Sequence, residues 1–146
     1  MARLHDDRGL TLRMEEVLDE YGQTVMREGR AVFRLLDPLF YHVGDYRSPH
    51  RIEVPVGFET DLASVPRAFR GLIPATGPWQ RAAVIHDYLY KTQGATLPPT
   101  LLRGRTPRKT ADDIFLEAME AAGVAWITRS AIYRAVRIGG NGGWGL

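Results

Sequence analysis

Ala82-Ala83-Val84-Ile85-His86-Asp87-Tyr88-Leu89-Tyr90 is the stretch on which the reading of this chain turns. Nine residues with one imidazole and one carboxylate among apolar neighbours are too long for a typical buried strand and suit a helix packed into a core. Helical spacing puts Ala82, Ala83, His86, Leu89 and Tyr90 on one face, because positions three and four apart are neighbours. His86 is therefore expected to face the interior, with small alanines letting another backbone come close. Asp87 lies about 100° further around the helix, where it can meet a loop or an ion. Pro78 suits the first turn, so the helix is predicted over Pro78 to Tyr90, with Gly94 as its stop.

About twenty residues on, Ala111-Asp112-Asp113-Ile114-Phe115 belongs to a second predicted helix. It starts at Thr110 as N-cap, with Asp113 three residues on, and runs to about Ala122 before Gly123. Asp112 shares a face with Phe115, Leu116 and Met119, whereas Asp113 lines up with Glu117 and Glu120 as a solvated stripe. Asp112 is thus the acid expected to point inward, and a buried carboxylate needs a partner. His86 and the Tyr90 hydroxyl are the candidates if the two helices pack as a hairpin. A third helix is predicted over Trp126 to Ile138. The tail Gly139-Gly140-Asn141-Gly142-Gly143-Trp144-Gly145 reads as too glycine-rich for regular structure and as able to dock to neighbours in an assembly.

The half that precedes the first helix reads as β-rich. Val32 to Leu36 and Leu39 to Val43 are strand candidates separated by Asp37-Pro38, and Arg51 to Val56 alternates with a period of two, Pro55 suggesting an edge. Met14 to Tyr21 reads as a short helix, with Gly22 and Gly29 barring a longer one. Ser64-Val65-Pro66 looks like a cap and short helical turn, and Gly71 to Pro78 like a loop. The expected architecture is α+β: a small antiparallel sheet in the N-terminal half beside a helical hairpin and a third, C-terminal helix, all in one domain over residues 1–146 with residues 139–146 as its tail.

Composition limits the function classes. The chain has 146 residues, 45% hydrophobic and 25% charged, which suits one folded globular domain. The formal net charge is only +2, so the basic run Arg103-Gly104-Arg105-Thr106-Pro107-Arg108-Lys109 reads as a solvated loop and a nucleic-acid partner is not expected. There is no cysteine, which excludes disulfides, cysteine-ligated zinc and a thiol nucleophile, and fits folding in a reducing cytoplasm. Met1 to Leu12 lacks the apolar core of a signal peptide, and no segment approaches the roughly 20 apolar residues that span a bilayer.

Three stretches together carry a resemblance: Ile52-Glu53-Val54-Pro55-Val56-Gly57-Phe58-Glu59-Thr60-Asp61-Leu62-Ala63-Ser64-Val65-Pro66-Arg67, then Ala83 to Tyr90, then Ala111 to Met119. Over about residues 30 to 140 the chain resembles a phage and prophage family, domain of unknown function 1353. That resemblance implies a tailed phage or prophage, with synthesis in the host cytoplasm, and gives no activity. More locally, His86, Asp87, Tyr90, Asp112 and Phe115 resemble phospholipase A2, which carries His-Asp-x-x-Tyr on one helix and Asp-x-x-Phe on another. What this second resemblance implies is a calcium-dependent hydrolase of envelope lipid. His86 would activate water, Asp112 would orient His86 with Tyr90 assisting, and Asp87 would help to hold Ca2+. The chain departs from that family in having no disulfide, no clear glycine-rich calcium loop and a β-rich first half. Backbone oxygens around Gly77, or the loop with Thr60 and Asp61, would have to complete a calcium site.

Two other readings use the same residues. A His-Asp metal phosphohydrolase would need further ligands from His50, Asp112 or His42. A non-catalytic virion part of the tail, neck or baseplate, with other phage structural proteins as partners, would use His86, Asp87, Asp61 and Asp112 as a buried polar network that fixes the fold.

Overall fold

A short antiparallel hairpin shows how the first half is built. Strands β5 (Leu39–His42) and β6 (Arg51–Val54) pair with Leu39 opposite Val54 and Tyr41 opposite Ile52. The period of two then buries Ile52 and Val54 and exposes Arg51 and Glu53. These details come from a computed structural model that describes residues 12–44, 47–62 and 79–145.

The other described strands are β1 (Met14–Glu16), β2 (Met26–Arg27), β3 (Arg30–Ala31), β4 (Phe33–Leu35) and β7 (Glu59–Thr60). They form a three-stranded sheet in the order β1-β4-β7 and a two-stranded ladder of β2 with β3, all antiparallel. Among the described residues the expected small sheet is thus three small antiparallel sheets, and the fold is α+β. The stretch from Met14 is a strand rather than the start of a short helix. Met14 pairs with Leu35 and Glu16 with Phe33, so a partner strand overrides the local pattern. The β2–β3 turn holds Glu28 and Gly29 at φ 50° and 76°, the left-handed pair that a two-residue hairpin requires.

Four helices follow among the described residues: α1 (Trp79–Lys91), α2 (Pro99–Leu102), α3 (Pro107–Ala121) and α4 (Trp126–Gly139). Pro78, and the stretch predicted to hold a cap at Ser64 and a loop from Gly71, lie outside the described residues. Helix α1 is buried at Ala82 through Asp87 and again at Leu89 and Tyr90, because it packs on α3 and also on β5, β6 and β7. Helix α3 starts one turn earlier than its predicted Thr110 cap. Thr106 is the N-cap, accepting from the Lys109 amide at 3.2 Å, and Pro107 takes the first helical position. Thr110 instead bonds back to the Thr106 carbonyl at 3.0 Å.

The C-terminal glycines also differ from expectation. Gly140–Gly143 form a 3-10 turn, and the tail folds back onto α1. The Gly145 amide donates to the Tyr90 carbonyl at 2.9 Å, and Trp144 meets the Tyr90 ring edge-on with centroids 5.0 Å apart. Apart from Val32, the buried apolar side chains among the described residues form one core cluster drawn from both the ladders and the helices.

Candidate functional site

The packing of α1 on α3 turns the two expected inward faces toward each other. His86 Nε2 lies 2.7 Å from Asp112 Oδ1, and the Tyr90 hydroxyl donates to the same oxygen at 2.7 Å. The other carboxylate oxygen, Oδ2, accepts from Arg137 Nη1 at 2.7 Å. Asp112 is fully buried and His86 is 2% exposed, so the dyad sits inside the core.

The ring planes are fixed by aromatic neighbours. Phe115, one turn beyond Asp112 on α3, stacks on the His86 imidazole with centroids 4.3 Å apart and planes 22° apart. Tyr90, one turn beyond His86 on α1, lies 4.2 Å from it on a tilted plane. Ala82 and Ala83, both fully buried, keep this part of α1 thin.

Burial alone would raise the Asp112 carboxyl above its ordinary range. The hydrogen bonds from His86, Tyr90 and Arg137 outweigh that cost and hold it below. Asp112 is therefore a carboxylate, and it accepts from the imidazole N–H. For Tyr90 the direction is opposite: burial, then the bond to Asp112, pushes the phenol up, so its hydroxyl stays a donor.

Arg137 was not among the residues singled out in the sequence. Its signal was available in principle: α4 carries Arg129, Arg134 and Arg137 and no acid, and a buried carboxylate requires a cation. Arg108 supports it from α3, donating to the Val136 and Arg137 carbonyls at 2.8 and 2.9 Å. Within the expected basic loop, Arg105 and Lys109 pair with Asp113 at 2.7 and 2.8 Å. Tyr133 bonds Asp113 as well, and Glu117 accepts from Tyr41 and the Gly44 amide. Of the expected solvated stripe, Asp113 and Glu117 are thus bonded, whereas Glu120 is exposed, with Arg129 Nη2 3.7 Å away.

Asp87 points away from the dyad toward β7. Its Oδ2 is buried without a hydrogen bond, and Lys91 Nζ stands 3.5 Å from that oxygen. That distance allows charge attraction but not a good hydrogen bond. Burial pushes the Asp87 carboxyl up, opposed by the Lys91 ammonium and the Thr60 hydroxyl, while the neighbouring Asp61 adds to the rise. Asp61 is itself buried just after β7. The described residues around Asp87 thus offer two carboxylates and one hydroxyl, short of the roughly six to eight oxygens that calcium takes. Gly77 lies outside the described residues.

His42 and His50 belong to the β5–β6 hairpin, where His42 Nδ1 contacts the Ser48 carbonyl at 3.1 Å. Among the described residues no group of three or more His, Cys, Asp or Glu side chains is placed to hold a metal ion. No described helix is long and apolar enough to cross a membrane.

No curated protein and no solved structure matches the chain. One family does, described as "Protein of unknown function (DUF1353)", and it matches residues 33–136. That span takes in β4 to β7, α1 to α3 and most of α4, with His86, Tyr90, Asp112 and Phe115, and stops one residue short of Arg137; it covers well over half of the sequence, so the chain belongs to the DUF1353 family.

Proposed function

We propose that the protein is a hydrolase of an ester or related bond of the bacterial envelope, with His86 as general base and Asp112 as its orienting carboxylate. The observation that carries this reading is the convergence of His86 and Tyr90 on one oxygen of Asp112, each at 2.7 Å. With Nε2 engaged by the carboxylate, this reading assigns the proton transfer to the other ring nitrogen, Nδ1. Nδ1 takes a proton from water, the hydroxide adds to the carbonyl carbon, and the Nδ1–H returns its proton to the departing alcohol. Tyr90 and Arg137 hold Asp112 in place and in its ionised form. No step here is routed through the calcium that the phospholipase A2 resemblance implies; Asp87 and Asp61 are the residues that would help to hold it.

The test is release of fatty acid from phospholipid vesicles by the whole protein, with and without divalent ions. Wild type is expected to release it. His86→Ala, with its circular dichroism unchanged, is expected to lose about 100-fold or more, the usual share of a general base. A wild type that releases nothing from phospholipid or simple esters under any of these conditions sinks the proposal.

A second reading rests on the 2% exposure of His86. In it, the protein is a non-catalytic component of a phage tail, neck or baseplate, and the polar network fixes the fold. It predicts a fixed, symmetric copy number in purified virions, and absence from them would count against it.

A further inference from the structure

Helix α4 carries more apolar surface than its packing uses. Ile132 and Val136 face the core, and a helix packed on one side normally turns polar side chains to the other. Here Trp126, Ile127 and Ile138 are 66%, 66% and 85% exposed. Ile127, Ala131, Arg134 and Ile138 follow one another at steps of four and three, so they line one outward stripe opposite Ile132 and Val136. Trp126 stands at the edge of that stripe. The charge is equally one-sided, because α4 carries Arg129, Arg134 and Arg137 and no acid. Arg129 is turned to the Val124 carbonyl at 2.9 Å and to Glu120 at 3.7 Å, and Arg137 to Asp112 at 2.7 Å. Arg134 is exposed and forms no ion pair among the described residues, so its charge on the stripe is uncompensated.

We propose that the outward face of α4 docks on an anionic lipid surface. Its exposed apolar side chains enter the headgroup boundary, while the Arg134 guanidinium meets lipid phosphate and its stem covers apolar surface. Trp126 suits the same boundary, with an apolar ring and a polar indole N–H. A second copy of the chain fits poorly, because a two-fold contact would lay the same basic stripe against itself. The face is also small: 14 helical residues give about 21 Å by 10 Å, or roughly 200 Å², against the ~800 Å² a side of a stable protein interface. Helix α4 is tied to the dyad, since Arg137 holds Asp112 and Arg108 holds the Val136 and Arg137 carbonyls. Docking through α4 therefore sets how the dyad is oriented to the lipid. The inference rests on the envelope reading for its partner and not for its chemistry.

The experiment is co-sedimentation of the whole protein with vesicles of phosphatidylglycerol and phosphatidylcholine in equal parts, and with phosphatidylcholine alone. Wild type is expected to bind the anionic vesicles, to leave them as salt rises, and to bind the neutral ones about tenfold more weakly or less. Arg134→Glu is expected to weaken anionic binding about tenfold, and Ile127→Gln with Ile138→Gln by at least as much. All three positions are exposed, so these variants should keep the wild-type Tm. Met26→Gln, at a site on the β2–β3 hairpin that is 57% exposed, should leave binding as it was. Tryptophan emission should shift to the blue on anionic vesicles, and Trp126→Phe should remove most of that shift. Wild type that ignores anionic vesicles overturns the proposal, and so does binding that the α4 variants leave unchanged. A wild-type dimer in sedimentation velocity that Ile138→Gln breaks also overturns it, since the face would then join copies of the chain. His86→Ala is expected to bind vesicles like wild type. Binding without hydrolysis would count against the general base alone, and cleavage of a soluble ester without vesicle binding against the docking face alone.

Discussion

Asp112 and Asp87 lie on facing and on the same helix as His86, and their environments drive them in opposite directions. Asp112 receives three donors and is held below the ordinary carboxylate range, so its folded pKa lies under its unfolded one. Its stabilising share is present above the unfolded value of about 3.9 and is lost as pH falls through the folded pKa. Asp112→Asn is expected to cost about 3–5 kcal/mol at neutral pH, since Arg137 loses the charge it was placed against. The gap between wild type and variant, read by urea unfolding, should narrow on acidification below about pH 4. An equal gap at neutral and acid pH would contradict this assignment. For Asp87 the sign reverses. Burial raises its folded pKa, the folded state binds the proton more tightly than the unfolded, and stability falls as pH rises past the ordinary carboxylate value. Asp87→Asn should therefore raise Tm at neutral pH and flatten that slope, as melting curves across a pH series will show.

At the scale of elements, the C-terminal glycines and Tyr90 set a constraint that composition does not reveal. An added Cβ at Gly140 would lie 2.5 Å from the Tyr90 hydroxyl and 3.0 Å from Arg108 Nη2, whereas one at Gly142 meets nothing within 4 Å. Gly140→Ala must push Tyr90 off Asp112 and is expected to cost about 1–3 kcal/mol, as overpacking does. Gly142→Ala should be near neutral in the same denaturation assay, and equal effects at the two sites would refute the close packing. The turn was not legible because glycine runs carry no periodicity, and its order comes from Tyr90, fifty residues away in sequence. What was legible was local. The spacing of His86, Tyr90, Asp112 and Phe115 on two helices predicted their faces, and the alternation of Ile52 and Val54 predicted β6. The start of α3 at Thr106-Pro107 was hidden inside a basic run, and β1 was hidden because its strand pairing with β4 outweighs a short helical pattern. Arg137 was missed for the same reason as the tail: its partner is 25 residues distant.

Across the whole molecule, one contact joins the ladders to the helices without passing through α1. The hydroxyl of Tyr41, a fully buried residue on β5, donates to Glu117 on α3 at 2.7 Å, and the Gly44 amide donates to the same oxygen at 2.6 Å. Tyr41→Phe removes one bond and leaves Glu117 with its other donor, so it is expected to cost about 0.5–1.5 kcal/mol. Glu117→Ala is worse, at about 1–3 kcal/mol, because it strands the buried phenol without an acceptor. If the contact works as the geometry shows, the double variant must cost less than the sum of the two, since phenylalanine takes away the stranded hydroxyl. The melt also reports on how the halves are coupled. Tryptophans 79, 126 and 144 all lie on the helical side, and an α1 wedged between ladders and α3 leaves neither half a separate core. Tryptophan fluorescence and far-ultraviolet dichroism should therefore give coincident unfolding curves in wild type and in all three variants. Additive costs would mean that Tyr41 and Glu117 act independently, and separated curves would mean that the ladders and the helices unfold as two units.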